Sequence, residues 1–196
     1  MNHGIKLGFA EARRLCESVI KTLPAEEIAL ADATGRILAS DVFALVDSPS
    51  IDGSAKDGFA VISSDIAHAA FDNPVSLELS GTIYAGDTAD LTVVSGTAAR
   101  ILTGAELPQG ANAVVAEEFT RIEEGRILVT AHAEPGRNVI PCGSDIRQGE
   151  PVARQGEKVS PGCIGLAAAA GCSSLPVIRR PRVGLMATGD EVVAPG

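Results

Sequence analysis

In "LGFAEARRLCESVIKTL" the apolar positions Phe9, Ala12, Leu15, Cys16, Val19, Ile20 and Leu23 recur every three or four residues, with charges between them. That spacing predicts one amphipathic helix, ended by Pro24 because a proline ring lacks the amide hydrogen a helix interior needs. "EEIALADATGRILASDV" then reads as a short strand, a tight Ala-Thr-Gly turn and a second apolar stretch. From about Phe59 to Val139 the pattern turns to short runs rich in β-branched and aliphatic residues: "FAVIS", "VSLELSG", "ARILTG", "NAVVAEEF" and "RILVTA". Gly, Asp and Asn separate these runs, and "IEEGRIL" reads as a hairpin turn. The middle of the chain is therefore expected to be a β subdomain inserted into something else.

Beyond it, "EPGRNVIPCGSDIRQGEPVARQGEKVSPG" is too rich in Gly and Pro for continuous strands and predicts short β-ribbons joined by turns. A helix is expected over Pro161 to Ala170, with Ser160 as N-cap, Pro161 in the first turn and Gly171 as C-cap. Its "CIGLAAAAG" reads as a buried helix, too short to span a bilayer. "VIRRPRV", Val177 to Val183, reads as a linker, and its three arginines as a solvated stretch or a phosphate contact. "RVGLMATG" has the continuous apolar character of a first strand in an α/β domain buried on both faces. Eight residues follow Thr188, so the chain is expected to stop where another domain begins.

Composition narrows the function classes. Hydrophobic residues make up 45% of the 196, aromatics only 3%, with no Trp and one Tyr. A packed core of Ala, Val, Ile and Leu is affordable at this length, whereas base-stacking nucleic-acid modules need exposed aromatic faces. A formal charge of −9 also argues against phosphate-backbone binding, so neither nucleic acid nor membrane is expected as a partner. Cys16, Cys142, Cys163 and Cys172 form no C-x-x-C pair, and His3, His68 and His132 have no metal-ligand spacing. Free thiols in a cytoplasmic protein are the expectation.

Four segments carry candidate chemistry. In "SPSIDGSAKDGFAV", Asp52, Ser54 and Asp57 form D-x-S-x-x-D-G. Two carboxylates and a hydroxyl in one loop suit a hard cation such as Mg²⁺, and ordinary Asp-Gly turn chemistry accounts for the same residues. "RILTGAELPQGANAVV" places Thr103 and Gly104 at a strand exit, where a hydroxyl and free amides suit an oxyanion. "GSDIRQGE" sets Asp145 near Arg147, either an orienting pair or a surface ion pair. "ATGDEVVAPG" puts Asp190 and Glu191 just past a parallel-type strand, where open α/β sheets place ligands.

Taken in order, "GRILASDV", "DGSAKDGFAV", "RILTGAELPQGANAVV", "GSDIRQGE", "GLAAAAG" and "RRPRVGLMATGDEV" resemble the amino-terminal half of the molybdopterin molybdenumtransferases, the MoeA and gephyrin E-domain family. The resemblance implies an α+β, mostly β, elongated fold: a mixed α/β subdomain (1–46 and 131–178) split by an inserted β subdomain (47–130). Residues 179–196 would be a linker and the first strand of a truncated molybdopterin-binding α/β domain. The activity implied is insertion of molybdate into adenylylated molybdopterin with release of AMP, aided by Mg²⁺, in a cytoplasmic homodimer that serves other cofactor-biosynthesis proteins and acceptor molybdoenzymes. Motif by motif, the family's site residues fall on Asp57, Thr103, Asp145 and Glu191, the expected catalytic set, with Asp52 and Ser54 in the same loop as Asp57. Asp52, Asp57, Asp190 and Glu191 are the expected metal positions, and Ser54, Lys56 and Gly104 the expected substrate contacts. The family's usual loop reads Asp-Asn-Ser-Ala-Met-Asp-Gly-Tyr, and Gly53, Lys56 and Phe59 depart from it. Lys56 either binds an anionic substrate or pairs with Asp57. A paralogue that binds or senses molybdopterin or molybdate without turnover is the alternative, and the isolated chain is expected to be inactive in either case.

Overall fold

The computed structural model describes residues 8–88, 90–186, 191 and 193. Its elements are α1 (Phe9–Val19), β1 (Ala25–Ala29), β2 (Val42–Phe43), β3 (Gly53–Ser54), β4 (Gly58–Val61), β5 (Val75–Ile83), β6 (Thr97–Ile101), β7 (Ala113–Ala116), β8 (Thr120–Glu123), β9 (Arg126–Val129), β10 (Val139–Ile140), β11 (Pro151–Ala153), α2 (Pro161–Ala169) and β12 (Ser174–Ile178). The mostly β, α+β character expected from the chain is what it adopts. No described helix is long and apolar enough to cross a membrane.

Two compact units are present, each built from discontinuous segments. One comprises Met1–Val42, Ala153–Ile164 and Ser173–Gly196, the other Phe43–Val152 and Gly165–Cys172. Residues 131–152, expected to belong with the α/β part, fold with the β unit instead. Long-range pairing explains the shift: Val139 of β10 lies opposite Ser54 of β3, and the following turn is bonded to the segment before β3. There the Gly143 amide donates to the Pro49 carbonyl (2.9 Å) and the Asp145 amide to that of Ser48 (3.0 Å). Turn-rich composition gives no warning of such a partner.

The β unit is built on a six-stranded sheet in the order β7-β4-β6-β5-β9-β8. Its neighbours are antiparallel except for the parallel pair β5 and β6. Side chains alternate between faces along a strand, and both faces of this sheet are covered. Phe59 and Val61 pack into one cluster with Ile66, Leu77, Val115, Ile127 and Val129. Ala60 enters another with Ile83, Val93, Ile101 and Val114. Burial on both sides is why "FAV" and "AVVA" are continuously apolar rather than alternating. The hairpin expected at "IEEGRIL" forms between β8 and β9, with Ile122 opposite Ile127. Glu124 (φ 49°) and Gly125 (φ 77°) both take left-handed conformations at its tip, as a two-residue turn that follows strand twist requires.

In the other unit β1 and β12 pair antiparallel, Ile28 opposite Leu175, and Ala33, Leu38, Val159, Leu175 and Val177 are buried. The buried Arg36 donates from Nη2 to Glu26 Oε1 and to the Ile178 carbonyl (2.9 Å). Helix α1 ends at Val19 and none of its residues is buried; Phe9 is 84% exposed. Its apolar periodicity identifies a face suited to burial, and the described residues of its unit place nothing over it. The "RVGLM" segment expected as a strand is in no strand over 183–186, and Leu185 is 97% exposed. Strand character requires a ladder partner, and the remainder of that expectation, Ala187 to Asp190, lies outside the described residues.

Helix α2 is capped as expected. Ser160 Oγ accepts the Cys163 amide (3.1 Å). At the other end the amides of Gly171 (φ 83°) and Cys172 donate to the carbonyls of Ala168 (3.0 Å) and Ala167 (2.9 Å), the paired bonds of a Schellman ending. It is not the buried helix expected: within it only Ala167 is buried. Alanine and glycine leave little apolar area, so their exposure costs little.

Two glycines test this description in opposite directions. A Cβ on Gly58 would sit 2.0 Å from the Val115 carbonyl oxygen, whereas one on Gly165 of α2 has nothing within 4 Å. Gly58→Ala is expected to destabilise the protein by about 3 kcal/mol and Gly165→Ala to stabilise it by roughly 0.5–1 kcal/mol. Urea denaturation of the two variants measures both.

Candidate functional site

The loop "SPSIDGSAKDGFAV" folds around a buried serine, Ser54. The Ser54 amide donates to the Ala105 carbonyl (2.9 Å), and its own carbonyl accepts the Gly104 amide (2.8 Å). Its hydroxyl donates to the Lys56 carbonyl (2.6 Å) and accepts the Lys56 amide (3.3 Å). These bonds hold the backbone of Lys56 in place and deliver Asp57 to the start of β4, an inner strand next to the edge strand β7.

Asp57 meets Thr103 there, just past the end of β6. The Thr103 amide and hydroxyl both donate to Asp57 Oδ1, each at 2.7 Å. On the other side, the Glu117 amide donates to the Asp57 carbonyl (3.1 Å), and the Glu117 side chain pairs with Arg100 of β6 (3.3 Å). Lys56, Asp57, Thr103, Glu117 and Glu118 line an open cleft of about 500 Å³. The Thr103 hydroxyl first, then its amide, hold the Asp57 carboxyl below the usual aspartate range; partial desolvation opposes them and the charge of Arg100 assists.

The remaining candidates separate. Asp52 Oδ1 accepts the Cys142 amide (2.7 Å), and Asp145 is exposed in a turn tied by its amide to Ser48. Neither lines the cleft. Glu191 is exposed and belongs to the other unit. Asp190 lies outside the described residues.

Two expectations change. Ser54 is fully buried with its hydroxyl engaged within the loop, so it frames the site rather than contacting a ligand. The Thr103 and Gly104 amides, expected to be free for an oxyanion, are taken by Asp57 and by the Ser54 carbonyl. Glycine is needed at 104 for its φ of +81°. Among the described residues no group of three or more His, Cys, Asp or Glu is placed to hold a metal ion. Thr103 engages Asp57, the Cys142 amide engages Asp52, and Arg100 engages Glu117.

Sequence reasoning missed Arg100, Glu117 and Glu118. The available signal was "VVAEEF": an acidic pair directly after a fully buried strand occupies the same kind of exit as Thr103. It also missed Asp47, whose Oδ1 accepts the Gln148 amide (2.8 Å) and whose Oδ2 lies 3.6 Å from Cys142 Sγ. Desolvation, then the Asp47 carboxylate, push the Cys142 thiol up, the direction that lowers its thiolate fraction.

The Asp57–Thr103 contact has a defined pH signature. A depressed folded pKa means that its stabilising contribution is present above the ordinary aspartate pKa and is lost as pH falls through the folded value. Thr103→Val removes the hydroxyl donor and leaves the amide. Carbon-detected NMR titration is expected to place the Asp57 midpoint below that of an ordinary aspartate in the parent chain and higher in the variant. An unmoved midpoint would show that the hydroxyl does not hold this carboxylate.

Comparison with known proteins agrees with this architecture. A molybdopterin molybdenumtransferase 2 of Mycobacterium tuberculosis is 39% identical over 187 residues, covering 95% of this chain and 44% of that protein. The molybdopterin molybdenumtransferase of Bacillus subtilis is 38% identical over 185 residues, covering 92% and 43%. Among solved structures, a molybdopterin biosynthesis MoeA protein from Pyrococcus horikoshii superposes with a TM-score of 0.79 at 34% identity, over 89% of this chain and 46% of that one. The chain thus spans under half the length of these relatives. A family model described as the MoeA N-terminal region (domain I and II) matches residues 7–171, a span that holds both the six-stranded sheet and the cleft, and the chain belongs to that family.

Proposed function

We propose that this chain is the N-terminal portion of a molybdopterin molybdenumtransferase, contributing one wall of the site at which molybdate is inserted into adenylylated molybdopterin with release of AMP. The observation that carries the reading is the Asp57 carboxylate, held ionised by two Thr103 donors at the edge of an open cleft, within the region that matches the family. A fixed charge of this kind orients reacting groups without reorganising during the reaction. Asp57 is the catalytic residue of this half, with Thr103 as the residue that positions it. Asp145 and Glu191 join the reaction by motif identity. The described carboxylates offer Mg²⁺ no ready-made cage, so the contribution derived for this half is positioning and charge balance. A homodimer, a cytoplasmic setting and delivery to acceptor molybdoenzymes belong to the same proposal.

A second reading, a paralogue that binds or senses molybdopterin or molybdate without turnover, is favoured by one observation: the lysine beside Asp57 places a cation on the cleft wall. Turnover separates the two readings. In the full-length protein, AMP release from adenylylated molybdopterin in the presence of molybdate is expected to fall about 10²-fold in Asp57→Asn, the scale on which lost preorganised electrostatic groups act. Thr103→Ala is expected to lose activity through Asp57, on the order of tenfold. Binding of the pterin with no AMP released by the parent protein would favour the second reading.

A further inference from the structure

The cleft is lined by one cation and three carboxylates. Counted as charges, that wall repels an anion. The bonding arrangement divides the four groups differently. Asp57 is engaged by both Thr103 donors, and Glu117 by Arg100. Arg100 also lowers the Asp57 carboxyl through its field, so one guanidinium serves two of the three carboxylates. Lys56 is exposed and forms no ion pair among the described residues, although it shares the cleft with Asp57 and Glu117. Its ammonium is therefore a cation left without a close anionic partner.

The backbone of this lysine is also fixed. Both its amide and its carbonyl are bonded to the hydroxyl of Ser54, which is fully buried. Ser54 in turn is anchored to Gly104 and Ala105, next to Thr103. The side chain thus starts from a defined point on the cleft wall, and only its flexible stem has to be ordered when a ligand arrives. An ammonium offers three donors and a compact charge, which suits a small tetrahedral oxyanion.

We propose that Lys56 is the oxyanion-binding residue of this cleft, and that its ammonium supplies there the positive charge for which the described carboxylates provide no metal cage. The proposal rests on the transferase reading only for the class of ligand, a tetrahedral oxyanion such as molybdate or a substrate phosphate. Its distinctive consequence is that the chain binds the oxyanion without a divalent cation.

The test uses the 196-residue chain in EDTA, titrated separately with sodium molybdate and with inorganic phosphate and followed by amide NMR shifts. Saturable shifts at Lys56, Asp57 and Thr103 are expected in the parent chain. Affinity is expected to drop about five- to tenfold in Lys56→Met, the effect of removing one charge partner at a solvated site, and to be kept in Lys56→Arg. The oxyanion that binds more tightly identifies the source, a metal oxyanion or a phosphate group. Three outcomes overturn the proposal: Lys56→Met binding like the parent, no shift at these amides with either anion, or shifts that appear only when Mg²⁺ is added. The amide spectrum of Lys56→Met shows directly whether the fold is intact. Because no turnover is read, such a failure leaves the AMP-release test of the transferase reading unaffected.

Discussion

The structure of the β unit depends on how closely β4 lies against β7. Gly58 sits where any side chain would collide with the Val115 carbonyl, so the absence of a Cβ at this one position lets β4 pack between β6 and β7. That strand begins one residue after Asp57, and its neighbours lead directly to Thr103 and Glu117. A sheet buried on both faces makes the three exits rigid relative to one another, since the packed interior below them tolerates little displacement. The cleft is the rim of that sheet, and its geometry follows from the register of β4.

Rigidity at the rim explains why an exposed carboxylate can be held with two donors on a single oxygen. Exposed hydrogen bonds between mobile groups contribute little, because water competes and ordering the side chains is unfavourable. Here the donors are an amide and a short hydroxyl on a strand exit, and the acceptor is a short aspartate at a strand start. Little freedom is left to lose. The opposite holds for Lys56, whose backbone is pinned by Ser54 while its charge sits at the end of a long flexible stem. The site combines a fixed anion with an adaptable cation.

Several short polar residues around the site hold the loops together. Asp47 and Asp52 satisfy backbone amides of segments distant in sequence, Gln148 and Cys142, and Ser54 satisfies the backbone of Lys56 two residues on. Short polar side chains satisfy irregular backbone that has no ladder to join. The same residue types serve turns and ligand sites, so composition cannot separate the two uses. Asp57 differs from Asp52 only in what lies opposite, a strand exit bordering open space rather than a folded-back turn.

Much of the fold was legible locally. The six-stranded sheet's apolar runs, the Glu124-Gly125 hairpin tip, the caps of α2 and the loop that carries Asp57 all follow from short-range patterning and from what Gly, Pro and Ser permit in the backbone. The family to which the motifs belong was likewise visible as segments in order, whereas the bonding of Thr103 to Asp57, 46 residues apart, was not. What tertiary structure alone decided was which segments meet: that residues 131–152 fold with the β unit, that α1 and α2 bury almost nothing, that the Thr103 and Gly104 amides are already engaged, and that Arg100, Glu117 and Glu118 share the rim. Each depends on partners tens of residues away in the chain. Local preference sets the conformation of a segment, but burial and hydrogen-bond satisfaction are properties of the pair, and a single segment does not specify its partner.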